Sequence, residues 1–283
     1  MRESAQILSA LRARLADHGA GGGQEGASGI MALGHAPLDA YLDGGLRRGQ
    51  LHEIFAEDAE DGGAAAGFAA MLGILAQNGE GGGGKPLLWL RTEEAQWRGG
   101  RFHAAGLAEL GGDPAALILA TVPDTLALLR AVADALRCAG LGAVVAECWG
   151  NPHLLDLMAS RRLTLAAERS GVTALMLRPG GAPAPSTADT RWSVRAAPSR
   201  PLPANAPGTP AFDLTLLRRR AGPAGQSWRL EWDRDRRRFI EPDSGAIREP
   251  AGQADRQPAL PGPLVSLPAG RQVADLRRLA AGA

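Results

Sequence analysis

Short apolar runs alternate with stretches of helical spacing through the first two thirds of this chain. Leu51–Phe55 predicts a strand, and Ala64–Gln77, dense in Ala, Leu and Met, predicts a helix. The alternation continues with strand Pro86–Leu90, helix Glu93–Leu110, strand Ala116–Leu119 and helix Asp124–Arg137. It ends with strand Ala143–Glu147, helix His153–Arg169 and strand Val172–Leu177. Short apolar strands interleaved with helices predict βαβ units, hence an α/β fold with a mostly parallel sheet covered by helices.

The character changes after Pro179. Gly180–Ala188 reads as a Pro/Ala loop, Arg191–Ala196 as a strand, and Pro198–Pro210 as a Pro-rich connection. Phe212–Leu217 and Ser227–Trp232 flank Ala221–Gln226, which predicts a C-terminal antiparallel β-hairpin. At the other end Ile7, Leu8, Leu11 and Leu15 recur at helical spacing, so residues 3–18 read as an amphipathic helix followed by a Gly-rich linker. Beyond Glu241 the chain is rich in Pro, Gly and charge, with an apolar patch at Leu264, Val265 and Leu267 and a short helical stripe at Val273, Leu276 and Leu279. The predicted organisation is therefore an N-terminal helix and linker (1–30), an α/β core (31–241) and a flexible tail (242–283).

Composition adds a polarity along the chain. The 283 residues carry a formal net charge of only +1, yet from Arg191 onward 16 arginines face 9 acidic residues, leaving residues 1–190 net acidic. A basic C-terminal third suits either an acidic partner or a solvated surface. Two cysteines, Cys138 and Cys148, complete no zinc site, and no signal-like or membrane-length apolar run is present, so a cytoplasmic protein is expected.

The strand–loop–helix at residues 51–77 is the context in which a phosphate-binding loop sits. There, backbone amides wrap the phosphates, a Lys neutralises them and a Ser or Thr holds magnesium. Here Ala56–Ala64 reads AEDAEDGGA, without Lys, Ser or Thr and with four carboxylates, Glu57, Asp58, Glu60 and Asp61. Each would repel a phosphate in a partly desolvated site, so no ATP binding and no ATPase are expected. Gly62 and Gly63 leave room for a small anion nest. GGGGK at Gly81–Lys85 precedes a strand and not a helix, and is read as a turn.

The order of these pieces resembles the RecA family. Pro37–Gly49 (PLDAYLDGGLRRG) is similar to the segment ahead of that family's first core strand. Gly106–Val145, with V-P-D-T at Val122–Thr125, is similar to its stretch from the second helix to the Walker B strand, and the likeness spans residues 37–235. Glu147 matches the Walker B acid in position, or is a buried acid at a strand end. Glu93 and Glu94 match a water-activating Glu, or are acids suited to a helix N-terminus. Only a short Pro/Ala loop stands where the family has a long DNA-binding loop. With the degenerate loop, the I-L-x-x-L-R-x-x-L helix at Ile7–Leu15 and the basic C-terminal extension, the chain resembles the ImuA family, whose members are also described as SulA-like or RecA-like. That resemblance implies a non-catalytic accessory role in SOS-induced mutagenesis and translesion synthesis. The implied partners are an ImuB-like Y-family polymerase homologue and other mutasome components, with RecA a further candidate. A residual ATPase and a SulA-like division inhibitor are the alternatives.

The candidate partner-binding residues are accordingly Ile7, Leu8, Leu11 and Leu15 in the first helix, and the six apolar tail residues from Leu264 to Leu279 named above. Candidate nucleic-acid contacts are Arg218, Arg219 and Arg220, and Arg236, Arg237 and Arg238, with Trp228, Trp232 and Phe239 the only nearby aromatics. Acidic neighbours Asp233 and Asp235, and even spacing of the two tryptophans on one strand face, favour packing equally. His18, His35, His52, His103 and His153 are scattered without metal-ligand spacing, so no metal, cofactor or catalytic residue is expected.

Overall fold

The computed structural model describes residues 29–56, 58–77, 84–202, 206 and 208–242. They belong to the first of two compact units, Met1–Asp243; the second, Ser244–Ala283, lies outside the described residues, as do the predicted N-terminal helix and most of its linker.

The described residues open with β1 (Ile30–Met31), a short helix α1 (Ala36–Tyr41) and β2 (Leu46–Arg47), where β1 and β2 pair as a separate two-stranded ribbon. The alternating region follows as β3 (Leu51–Ala56), α2 (Gly62–Gln77), β4 (Leu87–Thr92), α3 (Glu93–Gly99), α4 (Ala104–Glu109) and β5 (Leu117–Val122). It continues through α5 (Thr125–Ala135), β6 (Ala143–Glu147), α6 (Leu157–Ser170) and β7 (Thr173–Pro179). The last strands are β8 (Thr190–Ala197), β9 (Ala211–Arg219), β10 (Ser227–Asp233) and β11 (Arg238–Ile240).

Nine of these strands form one sheet in the order β11-β10-β9-β8-β3-β7-β6-β4-β5. The six from β8 to β5 run parallel, and β8 to β11 are antiparallel. The central strands β3, β4, β6 and β7 are buried at every position, as expected where helices cover both faces. Alternation sorts their side chains into two cores. Leu87, Trp89, Val145, Leu175 and Trp192 point to the face carrying α2. Leu88, Leu90, Val144, Met176 and Ala174 point to the face carrying α5 and α6.

The sequence of α2 is apolar on all sides, and the helix is buried accordingly, since such a helix needs cover all round. Its Phe68 ring lies 6.0, 6.2 and 5.4 Å from the rings of Trp192, Phe212 and Phe239, so the antiparallel strands cover the helix surface that the parallel strands do not reach. Leu33, Leu38, Leu42 and Leu46 from the first ribbon and α1 complete that core.

The expected fold class, a mostly parallel α/β sheet flanked by helices with an antiparallel C-terminal element, is observed, with four local corrections. The helix expected over Glu93–Leu110 is two helices, because Gly100 takes φ +77° and ends the first. The strand expected at Ala116–Leu119 starts one residue later and extends to Val122, after a 3-10 turn at Pro114–Ala116. Helix α6 begins at Leu157 and not His153, because Asp156 caps it, accepting from the Ala159 amide at 2.7 Å. The hairpin is a three-stranded ribbon, β11 having been missed. Among the described residues no helix is long and apolar enough to cross a membrane.

Candidate functional site at the carboxyl edge of the parallel strands

In open α/β sheets the crevice at the carboxyl ends of the strands is where ligands bind. The acidic loop after β3 opens onto that edge. Between Ala56 and Gly62 it is a short connection containing a 3-10 turn, Ala59–Asp61. Asp61 does not project into the crevice: its Oδ1 accepts the Ala196 amide at 2.8 Å and its Oδ2 faces Arg195 at 3.9 Å, binding the loop to β8. Asp58 and Glu60 are exposed, and Glu57 lies outside the described residues. The anion nest for which Gly62 and Gly63 leave room is not formed. Gly62 has ordinary right-handed helical angles, φ −55° and ψ −38°, and Gly63 has no positive φ, whereas a nest needs alternating handedness or a turn.

Glu147, at the Walker B position of the resemblance, is committed on both oxygens. Its Oε1 accepts from Arg91 Nη2 at 2.8 Å, and its Oε2 accepts from Trp89 Nε1 at 2.7 Å. Register explains the contact: Arg91 on β4 pairs directly with Glu147 on β6, and Trp89 shares the Arg91 face two residues earlier. The Arg91 head also donates to the carbonyls of Gly100 and Ala95, at 2.8 and 2.9 Å, tying both ends of α3 to the sheet. Both charged side chains are about 95% buried. Burial pushes the Glu147 carboxyl above its ordinary range, while the Arg91 charge and the Trp89 and Arg91 hydrogen bonds oppose this. The geometry is that of a buried ion pair with satisfied lone pairs, the alternative reading of Glu147 raised by its sequence position.

Glu93 and Glu94 occupy the first turn of α3, which Thr92 caps through the Ala95 amide at 3.1 Å. Glu94 pairs with Arg98 at 3.0 Å. The Arg98 guanidinium lies 5.9 Å from the Trp97 ring centre and 5.2 Å from that of Trp149.

A second polar cluster lies on the opposite face. Glu53 Oε2 accepts from Arg191 Nε and from the Ser186 hydroxyl, each at 2.8 Å. Arg178, 2% exposed, donates to the Gly150 carbonyl and to the Asn151 side chain, and lies over the Phe55 ring at 4.9 Å. It therefore fastens the β6–α6 loop to the end of β7; burial lowers its pKa from the ordinary arginine value. The Pro/Ala loop at Gly180–Ala188 is tied down on several sides. Ala182 donates to Asn151, Thr187 to Ser160 Oγ at 3.2 Å, and the Ser186 carbonyl accepts from Arg218. The sequence reading missed all these partners. The signal was present in Glu53, Arg91 and Arg178, charged residues inside otherwise apolar strands.

The one hydroxyl beside a carboxylate in these clusters, Ser186, is buried and donates to the Glu53 oxygen that Arg191 also holds. Burial raises the Cys148 thiol to about 12, which leaves it protonated and unreactive near neutral pH. His52 is buried and bonded within the sheet, and among the described residues no group of His, Cys, Asp or Glu is arranged to hold a metal ion.

The candidate nucleic-acid arginines are not brought together. Arg218, Arg219 and Arg220 lie at the end of β9, and Arg236, Arg237 and Arg238 lie at the β10–β11 turn. Because β9 and β10 are antiparallel, these positions fall at opposite ends of the ribbon, about 30 Å apart at ~3.3 Å per residue. Most are engaged within the chain. Arg219 donates to the Tyr41 carbonyl and pairs with Asp43; Arg220 faces Glu168 at 3.7 Å. Arg236 and Arg238 share Asp233, at 3.0 and 3.9 Å, and Arg237 takes a left-handed backbone with φ +49°. Trp232 and Phe239 are fully buried, with Trp232 Nε1 donating to the Leu110 carbonyl at 2.9 Å, and Trp228 packs edge-on against Tyr41. Packing, and not a base-stacking surface, occupies these rings. The candidate partner-binding residues, Ile7 to Leu15 and Leu264 to Leu279, lie outside the described residues.

No family model matches the chain, and no curated protein matches it. Among solved structures, the crystal structure of the RadB recombinase aligns with a TM-score of 0.49 and 15% identity, covering 76% of this chain and 100% of that chain.

Proposed function

We propose that this chain is a non-catalytic adaptor in SOS-induced mutagenesis and translesion DNA synthesis, a RecA-like scaffold that binds protein partners, foremost an ImuB-like Y-family polymerase homologue. The observation that carries the non-catalytic half is the state of the two phosphate-handling positions. The loop offers carboxylates where a triphosphate needs cations, and Glu147 spends both oxygens on Arg91 and Trp89. The adaptor half rests on the resemblance described above and on the apolar stripes at the two ends of the chain.

Two measurements test the halves separately. Calorimetry with Mg-ATP is expected to give no binding heat; micromolar binding lost on changing Gly62 would sink the non-catalytic reading. Co-purification with an ImuB-like protein is expected, weakened by deleting residues 263–283 with the core still folded. Unchanged capture after that deletion would remove the tail from the docking surface.

A further inference from the structure

Helix α6 is built with its large apolar side chains on the wrong side. The face turned to the sheet carries mostly small residues, Ala159, Ser160, Thr164 and Ala167, with Leu163 the one large side chain. The outward face carries Leu157 and Met158, which are 48% and 61% exposed, and Leu165, which is 41% exposed; Leu154, just ahead of the helix, is 38% exposed. Spacings of three, four, seven and eight place these residues, with Arg161 and Arg162, on one continuous stripe. Isolated exposed leucines are ordinary, but a helix that solvates its large residues while burying its small ones has its second apolar face unpartnered.

The charges on this stripe differ from those elsewhere. The C-terminal arginines are largely paired, whereas among the described residues Arg161, Arg162 and Arg169 on α6, and Arg130 on the adjacent α5, have no acidic partner. We infer that the outward face of α6 is a docking surface for an acidic amphipathic helix of a protein partner. Its apolar ridge would lie along Leu157, Met158 and Leu165, and its carboxylates would meet Arg161 and Arg162. The fourteen residues of α6 extend about 21 Å, room for about four turns of a partner helix.

Charge complementarity favours an outside partner over the nearer occupants. Residues 1–28 carry three arginines against three acids and residues 243–283 five against four, so neither end of this chain is acidic. A second copy meeting face to face would bring like charges together. Nucleic acid would satisfy the arginines but leave the ridge of Leu and Met without apolar contact, and no aromatic side chain lies on the stripe for bases to stack on. The inference goes beyond the adaptor reading, because it places recognition on the folded core and specifies the partner's chemistry. Its failure leaves the Mg-ATP result untouched.

The test uses the full chain and a labelled synthetic peptide of about 18 residues, with leucines at helical spacing flanked by glutamates. The control is a scrambled peptide of identical composition. At physiological salt the patterned peptide is expected to bind one to one, and the scrambled one at least about tenfold more weakly. Leu157→Ser/Met158→Ser and Arg161→Glu/Arg162→Glu are each expected to weaken binding by about tenfold or more, with unchanged melting because these side chains are exposed. Leu165→Gln provides an independent third variant. Equal affinity for the scrambled peptide, or binding insensitive to all three variants, overturns the proposal. So does an oligothymidine complex disrupted by Arg161→Glu/Arg162→Glu when the peptide does not bind, or a homodimer dissociated by Leu157→Ser/Met158→Ser.

Discussion

His52 is fully buried in β3 with both ring nitrogens engaged, Nε2 at 2.9 Å from the Arg47 carbonyl and Nδ1 at 2.8 Å from the Thr190 hydroxyl. A carbonyl only accepts, so Nε2 carries the proton. The Thr190 hydroxyl, which accepts from Trp192 Nε1, is then free to donate to Nδ1, and the neutral ring satisfies the whole chain of bonds. Burial lowers the His52 pKa from 6.5 to about 4. A depressed histidine favours the folded state above the unfolded pKa, and that contribution is lost as pH falls from 6.5 through about 4, on the order of 3 kcal/mol. Urea unfolding at pH 7 and pH 4.5 should therefore show a steeper loss for the native chain than for His52→Gln; parallel losses would contradict the assignment. Glu147→Gln makes the complementary point about the buried pair. An amide placed between Arg91 and Trp89 turns a donor toward a donor and leaves the guanidinium unpaired, so a loss of about 3–5 kcal/mol is expected in chemical denaturation. An acid kept only to manage magnesium would tolerate the change without loss of stability.

At the scale of elements, the depth at which α2 lies against the sheet depends on Gly73. A Cβ there would approach the Leu87 methyl carbons to 2.7 and 3.0 Å in a fully buried layer. Gly73→Ala gains about 1 kcal/mol of helix propensity but costs about 1–3 kcal/mol in overpacking, so a net fall in melting temperature is expected. Elements such as α2 were legible because their apolar runs are long. Those that were missed have little pattern to read. β11 is three residues, Arg238–Ile240, following a run of charge, and becomes a strand only because Phe239 pairs with Trp232 and fills the core beside Phe68. The break between α3 and α4 was written in Gly99 and Gly100. Gly99 matters for a reason local spacing does not show: the Arg91 head lies 3.3 Å from where its Cβ would be. The outward stripe of α6 was hidden for the opposite reason. Helical periodicity identifies a face but not which of two apolar faces meets the sheet.

Across the whole molecule, the basic excess after Arg191 could be counted from the sequence, but its use could not. Several of its partners lie far away in the chain: Arg234 meets Glu109, Arg219 meets Asp43, and Arg220 meets Glu168. Arg219 and Arg220 thus fasten one end of the ribbon and Arg234 the other, while Arg236 and Arg238 turn back on Asp233. That ribbon also supplies Phe212, Leu214, Leu216, Leu230, Trp232 and Phe239 to the core around α2. Truncation after residue 242 should leave a cooperative melt near that of the full chain, whereas truncation after Ala197 should abolish it; circular dichroism on both proteins decides this. The Arg91–Glu147–Trp89 contact also constrains what can be engineered into this molecule. A Lys and a Thr introduced into the loop would meet phosphate alone, since the Glu147 carboxylate is held by Trp89 and by Arg91, the residue that ties α3 to the sheet. Freeing it would cost the fold several kcal/mol before any turnover began. Any design that asks Glu147 to hold a metal must therefore first give Arg91 another acid and Trp89 another acceptor.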